Sequence, residues 1–188
     1  MNLLSKDKSD AILINYWFGY NYGASLVAYA LQKNLANHNI KTKTFNYVSP
    51  SFKNLYPDSF SQKFGEKHLN LTKRLNSIAN LDELNKLTNT FITGSDQVFN
   101  YLIYNTLGGN AYQLNFADNN KKKISCAASL AFPYYIGGKA QTIIFKTLLE
   151  RFNSISVREK NAQHALLNQF NIKSDIICDP VFSISKDE

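Results

Sequence analysis

The chain has 188 residues, enough to bury a core, and one domain is the default expectation for this length. Hydrophobic residues make up 44% of the sequence, which is a globular composition and excludes a disordered chain. The formal net charge is +7, but 18 of the 21 basic residues are lysines scattered along the chain, so nucleic-acid binding is not expected. The sign of the charge suits an anionic substrate or peripheral contact with an anionic membrane.

The N-terminal residues and the cysteines indicate the compartment. Charged residues between positions 6 and 10 precede only a short apolar segment, so we expect no signal peptide. No apolar run approaches the roughly 20 residues of a transmembrane helix. Cys126 and Cys178 lie in apolar runs and are interpreted as small buried hydrophobes in a reducing compartment, with a disulfide between them left open. The sequence therefore predicts a cytoplasmic protein, and it shows no cysteine or histidine spacing typical of a metal site.

The first part of the chain predicts a strand, a helix and a second strand. Residues 11–14 form an apolar run too short for a helix, and a glycine-containing turn follows. Apolar residues between positions 24 and 35 recur with helical spacing. Residues 43–48 then predict a strand that ends at Ser49-Pro50. This order is the unit of a parallel sheet.

The middle of the chain, residues 51–88, is less regular, and we expect one or two helices with loops. Its apolar residues with helical spacing are Leu71, Leu75 and Ile78. Further along, an alternating set predicts a short edge strand or extended segment: Tyr112, Leu114 and Phe116.

The remaining elements alternate between strands and helices. Strands are predicted at residues 90–93, 123–128, 154–157 and 175–178, and helices near residues 144–152 and 162–170. This alternation predicts an α/β fold, Rossmann-like and doubly wound around a mostly parallel sheet, in a single domain over residues 1–188.

Polar residues follow nearly every predicted strand. They are Asn21, Tyr22 and Gly23; Gly94, Ser95, Asp96, Gln97 and Asn100; Ser129; Arg158 and Glu159; and Asp179. Because the carboxyl ends of parallel strands share one edge of the sheet, these groups are predicted to converge on a common crevice.

Each group also has a structural interpretation. The segment from Gly94 to Asn100, taken alone, is typical of an Asx-type turn that caps a helix. The segment from Asn21 to Gly23 suits a helix N-cap whose exposed amides could receive an anion. The turn contains Gly19 and Gly23 but not the third glycine of a dinucleotide-binding fingerprint, so a dinucleotide cofactor has little support.

The end of the fifth strand carries the best candidate for anion binding. Arg158 and Glu159 suit a surface ion pair. Arg158, however, lies directly at a strand end, and its guanidinium can donate two hydrogen bonds to one anion, which makes it the best candidate to bind a carboxylate or phosphate. Asp179 precedes Pro180 and is interpreted as a turn former. The three histidines, at positions 38, 68 and 164, have no plausible catalytic neighbour in the sequence.

Five blocks, in chain order, resemble motifs of the polysaccharide pyruvyl transferase family. The blocks are Asn21-Tyr22-Gly23-Ala24 running into residues 28–32, the segment 94–100 with Phe99 where Trp is usual, the segment 122–129 with Cys126 where Tyr is common, the segment 155–159, and Asp179-Pro180. The resemblance covers nearly the whole chain.

This resemblance implies one half of an architecture similar to GT-B glycosyltransferases. It implies transfer of the pyruvyl group of phosphoenolpyruvate, as a ketal, to hydroxyls of envelope or capsule saccharides, with phosphoenolpyruvate as co-substrate and no other cofactor. By this analogy Arg158 pairs with the phosphate or carboxylate of phosphoenolpyruvate, while Asp96, with Asn21 and Gln97, lines the acceptor side and acts as a base. The other residues implied in substrate binding are Tyr22, Gly23, Gly94, Ser95, Asn100, Ser129 and Glu159.

Family members normally continue into a second Rossmann-like half, and this chain ends at residue 188, where that half would begin. We therefore expect an N-terminal half that is inactive alone and needs a complementary half, or that self-associates. The sequence leaves open a truncated piece, a naturally short protein and a relic. It also leaves open a GT-B-like glycosyltransferase half that uses a nucleotide sugar, and a non-catalytic binding or assembly module.

Overall fold

The computed structural model describes residues 8–56, 58–103 and 109–185, without the side chains of Ser51 and Phe52. The charged residues at positions 6 and 7, and the chain end at residues 186–188, lie outside the described residues. The predictions about a signal peptide and about the end of the chain rest partly on them.

A six-stranded sheet organises the chain, in the order β2-β1-β3-β4-β5-β6. Every neighbouring pair of strands is parallel. The strands are β1 Ala11–Ile14, β2 Thr42–Thr44, β3 Thr90–Asp96, β4 Lys122–Ala128, β5 Ser154–Val157 and β6 Asp175–Ile176. The predicted α/β, doubly wound, Rossmann-like fold is confirmed, and the described sheet is parallel throughout.

Five α-helices connect or flank the strands. They are α1 Tyr22–Asn37, α2 Pro50–Leu55, α3 Phe60–His68, α4 Lys139–Leu149 and α5 Lys160–Phe170. Short 3-10 helices cover Ile78–Lys86, Tyr101–Ile103, Gly109–Gln113 and Pro180–Ser183. Among the helices that the structure describes, none is long and apolar enough to cross a membrane.

The central strands are apolar because helices and loops cover both faces of the sheet. All four residues of β1 are buried, and Ile12 lies beside Phe91 of β3 in the register of the sheet. One large cluster of buried side chains joins Ile12 and Phe91 to Phe45 and Phe99. The sheet is therefore a rigid platform, and the residues that follow its strands are fixed in place by the core.

The strand predicted over residues 43–48 is too long, since β2 ends at Thr44. Beyond it the backbone bonds irregularly to the segment after α3: the Asn46 amide donates to Thr72 Oγ1 at 3.0 Å, and the Leu75 amide donates to the Asn46 carbonyl at 2.8 Å. The helical spacing of Leu71 and Leu75 likewise does not form a helix, because this segment pairs with residues 44–46 instead.

The alternating residues at positions 112, 114 and 116 do not form a strand. A 3-10 helix, Gly109–Gln113, precedes a turn in which the Leu114 amide bonds to the Ala111 carbonyl at 3.0 Å. Tyr112 and Leu114 are buried. Tight turns deliver both side chains to the core, so the apolar alternation arises without a neighbouring strand.

The cysteine prediction is wrong for one residue. Cys126 is half-buried, and burial raises the pKa of its thiol to about 11. Cys178 is exposed, because it follows the edge strand β6, whose two residues are themselves exposed. Both thiols are free, so no disulfide joins them in this structure.

The strand order creates a crevice between β1 and β3. From β1 the chain crosses to β2 on one side, whereas β3 to β6 extend the sheet on the other side. Adjacent loops at such a switch point leave the sheet in opposite directions, and ligands of open α/β sheets bind there. We call the margin where the strands end the carboxyl edge, and the margin where they begin the amino edge.

Candidate functional site

A cavity of about 760 Å³ opens at the carboxyl edge, beside the switch point. The start of α1, the turn after β3, the residues after β5 and the 3-10 helix Pro180–Ser183 enclose it. Its lining residues are Asn21, Gly23, Ala24, Leu26, Val27, Asp96, Gln97, Arg158, Glu159, Cys178, Asp179, Val181 and Phe182. We call it the acidic cavity because Asp96, Glu159 and Asp179 line it. Its volume falls in the range of small-molecule sites.

The end of β3 bends sharply at Gly94. Gly94 has a φ of +116°, and a Cβ atom there would overlap the carbonyl oxygen of Cys126 on β4. The Gly94-Ser95 peptide bond is cis, and the Asn15 side-chain amide donates to the Gly94 carbonyl. Glycine is therefore required for the close approach of β3 to β4, and the bend carries Asp96 to the cavity wall.

Asp96 is the carboxylate at the centre of this wall. Its φ is +78°, a conformation that Asp and Asn tolerate better than other non-glycine residues. Its Oδ1 accepts a hydrogen bond from the Gln97 amide at 2.8 Å. Burial raises the pKa of Asp96 and outweighs the Gln97 amide and the Arg158 charge, which lower it; the carboxylates of Asp179 and Glu159 raise it further. Asp96 thus binds a proton more readily than an exposed aspartate.

Arg158, just past β5, lies among three carboxylates. Its Nη1 donates to Asp179 Oδ2 at 2.7 Å, and its Nε donates to Glu159 Oε1 at 2.9 Å. Its Nη2 lies 3.7 Å from Asp96 Oδ1, too far for a hydrogen bond. Burial lowers the pKa of Arg158, but the bonds to Glu159 and Asp179 outweigh it and leave the pKa raised, so the guanidinium stays charged.

With every group ionised, this cluster carries three negative charges and one positive charge. The side chains of Arg158, Asp96 and Asp179 are 25%, 16% and 15% exposed, so solvent screens the charges only in part. The arrangement is more than the surface ion pair that the sequence also allowed. One guanidinium orients three acids on one wall, and the wall keeps an excess of negative charge.

Asp179 has a larger role than the sequence indicated. Its Oδ1 accepts from the Val181 amide at 3.0 Å, which caps the 3-10 helix and confirms the predicted turn. Its Oδ2 receives Arg158 and lies 3.0 Å from Ser95 Oγ. Asp179 therefore links the ends of β3, β5 and β6. Its position just past the predicted strand 175–178, at the same edge as Asp96, was the signal for this role in the sequence.

The structure separates the predicted site residues into two groups. Those that line the cavity are Asn21, Gly23, Asp96, Gln97, Arg158 and Glu159. Those that do not line it are Tyr22, Gly94, Ser95, Asn100 and Ser129. No pattern in the sequence selected the apolar part of the lining, which is Ala24, Leu26, Val27, Cys178, Val181 and Phe182.

Several residues of the second group support the wall. The buried Ser95 hydroxyl lies 2.9 Å from the Ala127 carbonyl as well as near Asp179. The Ser129 amide donates to the Asp96 carbonyl at 2.9 Å. The Asn100 side chain donates to Gln97 Oε1 at 2.9 Å. These contacts fix the turn after β3.

Asn21 caps α1, with its Oδ1 accepting from the Ala24 amide at 3.3 Å, as the N-cap interpretation predicted. Tyr22 instead is exposed and contacts the ring of Phe60, with the ring centroids 5.0 Å apart. The cap brings the first turn of α1 to the cavity and leaves Tyr22 pointing away from its lining.

The histidines lie away from this cavity. His38 Nδ1 lies 2.9 Å from the Asn34 carbonyl at the end of α1, His68 stacks on Phe64, and His164 is exposed on α5. Within the part of the chain that the structure describes, no three His, Cys, Asp or Glu side chains are placed to hold a metal ion.

The family model for polysaccharide pyruvyl transferase matches residues 21–188. The chain belongs to the polysaccharide pyruvyl transferase family. No curated protein matches the chain. The matched range begins at Asn21, the cap of α1, and includes every residue that lines the acidic cavity. Membership supports pyruvyl transfer in polysaccharide biosynthesis and implies a saccharide substrate.

Proposed function

We propose that the acidic cavity binds the saccharide acceptor of a reaction that transfers pyruvate from phosphoenolpyruvate to the saccharide as a ketal. The acceptor would be a precursor of a cell-surface saccharide, and the reaction would take place in the cytoplasm, where phosphoenolpyruvate is made. The observation that carries the proposal is the excess of carboxylate oxygens on the cavity wall.

The charge of the wall favours the acceptor over the donor. Sugar hydroxyls are neutral groups that donate hydrogen bonds. Ionised carboxylates accept stronger hydrogen bonds from such donors than neutral oxygen atoms do. Glu159 lines the cavity, and its Oε2 has no hydrogen-bond partner among the described residues, so this carboxylate retains the capacity to accept from such a hydroxyl. Phosphoenolpyruvate carries several negative charges and would be repelled by a wall of net charge −2.

Asp96 is the proposed base for the acceptor hydroxyl. A base works best when its pKa approaches the working pH, and burial moves the pKa of Asp96 in that direction. Asp96 would take the proton as the hydroxyl oxygen attacks C2 of the donor. The Gln97 amide and Arg158 would hold the carboxylate in position during this step.

Two hydroxyls of the saccharide take part for each pyruvyl group. Both oxygens form bonds to C2 of phosphoenolpyruvate, and the C2–O bond to phosphate breaks. One hydroxyl proton ends on C3, which becomes a methyl group. The other hydroxyl proton ends on the inorganic phosphate that leaves. The reaction therefore consumes no oxidant or reductant.

Arg158 is the proposed link to the donor. Its Nε and Nη1 already bond to Glu159 and Asp179, whereas Nη2 faces Asp96 without a hydrogen bond. Once Asp96 is protonated, the negative charge next to Nη2 disappears, and the guanidinium can attract the phosphate or carboxylate of the donor more strongly. Proton transfer and donor stabilisation would then be coupled at one place.

One guanidinium is not enough to neutralise phosphoenolpyruvate, which carries several negative charges. Stabilisation of a developing anion needs several oriented hydrogen-bond donors or cations. We therefore propose that further cations come from a second wall supplied by a complementary half, and that the chain alone has little or no activity. That this chain is one half of a two-domain transferase stays a prediction.

The test is an assay of ketal formation with the chain alone and mixed with the C-terminal half of a family member. Phosphate release from phosphoenolpyruvate and the new methyl signal in proton NMR are followed with a panel of saccharides. We expect turnover in the mixture and little with the chain alone. Absence of both signals with every saccharide would contradict the proposed reaction.

Two substitutions separate the proposed roles. Asp96→Asn should lower kcat about 100-fold or more, the usual contribution of a general base. Glu159→Gln should instead raise KM for the saccharide, since it retains the acceptor for Arg158 Nε but removes a carboxylate. The control is Asp82→Asn, at an exposed residue of the 3-10 helix Ile78–Lys86, which should leave both constants unchanged. Equal effects of Asp96→Asn and Asp82→Asn would contradict the role of Asp96.

A further inference from the structure

The acidic cavity also has an apolar wall, which the proposed reaction does not use. Its most exposed members are Leu26 of α1 and Phe182 of the 3-10 helix Pro180–Ser183, whose exposed fractions are 45% and 83%. Val181 lies beside Phe182 in the chain, and α1 packs against this 3-10 helix. We call Leu26, Val181 and Phe182 the apolar wall. Large apolar side chains gain no stability from exposure to water, and a group of them beside a cavity is typical of a binding site.

Phe182 is positioned by the segment that also supplies Asp179. The Phe182 amide donates to the Asp179 carbonyl at 3.0 Å, and Asp179 Oδ1 accepts from the Val181 amide, also at 3.0 Å. Asp179 Oδ2 accepts from Arg158. The backbone that carries the aromatic ring is therefore bonded to the carboxylate cluster, and a ligand in the cavity meets both kinds of side chain.

The same 3-10 helix is bonded to α1. Pro180 is buried, and the Ser183 hydroxyl donates to the Pro180 carbonyl at 2.6 Å. Asn34 Nδ2 donates to Ser183 Oγ at 2.6 Å, and Asn34 lies about two turns after Leu26 on α1. The two large apolar side chains thus belong to elements that hydrogen bonds hold together. A wall that is ordered before the ligand arrives loses less conformational entropy on binding.

A cavity that combines carboxylates with an apolar wall suits an amphipathic ligand. A pyranose ring has this character, because its hydroxyl groups project from the rim while its C–H bonds make the faces of the ring apolar. These C–H bonds lie next to oxygen atoms and are weakly positive at hydrogen, so they are attracted to the negative face of an aromatic ring. A purely apolar ligand would desolvate the carboxylates without pairing them, which costs free energy.

We propose that Phe182 is the stacking residue of the acceptor site. Its ring packs against the C–H face of a pyranose, while hydroxyls at the rim of the same sugar donate to the carboxylates of Asp96 and Glu159. The inference rests on the proposed saccharide acceptor and adds the residue that selects a sugar ring over other polyols. Phe182 makes no bond to the reacting atoms, so it is a positioning residue that acts on affinity.

The test measures binding of methyl hexosides and of sorbitol, an open-chain polyol without a ring face, to the whole chain by NMR. The Gln97 amide reports occupation, because Gln97 lines the cavity together with the carboxylates. The wild type should bind a hexoside more tightly than sorbitol, and saturation of the aromatic protons should transfer to the C–H protons of the sugar. Phe182→Ala should weaken hexoside binding about five-fold, the range of one aromatic contact, and leave sorbitol binding unchanged.

Two further variants control for the loss of the ring. Phe182→Tyr keeps the aromatic face and should retain the affinity of the wild type. Tyr134→Ala removes an aromatic side chain that is 57% exposed and lies outside the lining of the acidic cavity, so it should also bind as the wild type does. Because Phe182 is exposed, its truncation should leave the fold intact, which a urea titration of the variant checks.

The outcomes separate this inference from the proposed function. If hexosides bind Phe182→Ala as tightly as the wild type, the stacking role is wrong, whereas the saccharide site stands. If hexosides shift no amide of the cavity in the wild type, both the saccharide site and the stacking role are wrong. If Phe182→Ala keeps hexoside affinity but weakens association with the C-terminal half of a family member, the apolar wall is a protein interface, and the proposal is overturned.

Discussion

At the carboxyl edge of the sheet, Arg158 is bonded to two carboxylates and lies near a third. At the amino edge, a second cavity is lined by residues that include Lys8 and Lys41, and no Asp or Glu among the described residues belongs to its lining. The wall at the carboxyl edge keeps an excess of negative charge and therefore suits a neutral ligand that donates hydrogen bonds. The two ends of the same strands thus differ in the sign of the charge that they present.

The largest effect is expected from Gly94→Ala, which tests whether the bend of β3 builds the acidic cavity. The new Cβ would overlap the Cys126 carbonyl, and alanine is strained at a φ of +116°. We expect a loss of about 3 kcal/mol or more in the free energy of unfolding, measured in urea.

Gly138→Ala is the matched control, because a Cβ there meets no atom within 4 Å. It should cost about 1 kcal/mol or less, the range of a weak N-cap replacement. Equal losses at the two glycines would contradict the close approach of β3 to β4.

Arg158→Ala should have the next largest effect, since it leaves three carboxylates together without their cation. Breaking a buried ion pair costs about 3–5 kcal/mol, and partial exposure of this cluster reduces our expectation to about 2 kcal/mol at neutral pH. The deficit should shrink in acid, where the carboxylates become protonated and stop repelling each other.

The control Arg74→Ala removes an exposed arginine and should change stability by less than about 0.5 kcal/mol. A deficit for Arg158→Ala that did not change between neutral and acidic pH would show that charge repulsion is not its cause.

Thr42→Val and Thr44→Val compare two buried threonines of β2. Thr42→Val removes a buried hydroxyl that has no partner among the described residues and should raise the free energy of unfolding by up to about 1 kcal/mol. Thr44→Val deprives Gln32 Nε2 of an acceptor at 3.3 Å and should lower stability by about 1 kcal/mol. Urea titrations of both variants measure the difference, and effects of the same sign would show that the Thr42 hydroxyl has a partner.

Asp96→Asn should have the smallest effect on stability, with a characteristic pH dependence. The folded state raises the pKa of Asp96 above the ordinary 3.8, chiefly by burial, so the folded state binds the proton more tightly than the unfolded state does. Wild-type stability therefore falls as the pH rises through the unfolded and then the folded pKa. Asparagine, which also tolerates positive φ, avoids this loss.

The variant should match the wild type below pH 3.8 and exceed it by less than about 1 kcal/mol at neutral pH. Unfolding curves at a series of pH values check this. A variant less stable than the wild type at neutral pH would mean that the attraction to Arg158 outweighs burial.

The strands and most helices could be predicted because their periodicity is local. Residues 11–14 are an apolar run, and α1 shows its buried face in sequence. Tyr112 and Leu114 misled the prediction because burial by tight turns imitates strand alternation. The segment after Thr44 misled it because the backbone of Asn46 bonds to Thr72 and Leu75, a pairing that no local pattern reveals.

The sequence predicts that the candidate site lies at the carboxyl edge of the sheet, but it does not predict which side chains contact each other there. That Asp96 and Arg158 would meet followed from parallel strands sharing a margin. That Asp179 would bridge them did not, since an Asp before Pro is also typical of any turn. The cavity at the amino edge was not predicted at all, because its lysines are spread from position 8 to position 43 and come together only when β1 and β2 pair.

The role of the acidic cavity is tested most directly by mapping ligand contacts with amide NMR on the 21.4 kDa chain. The titration uses a panel of methyl hexosides. The account predicts that the hexosides shift the amides of Gly23, Gln97 and Glu159, which line the cavity at the carboxyl edge. Shifts confined to amides of the amino edge, such as those of Ser9, Lys41 and Thr42, would contradict it.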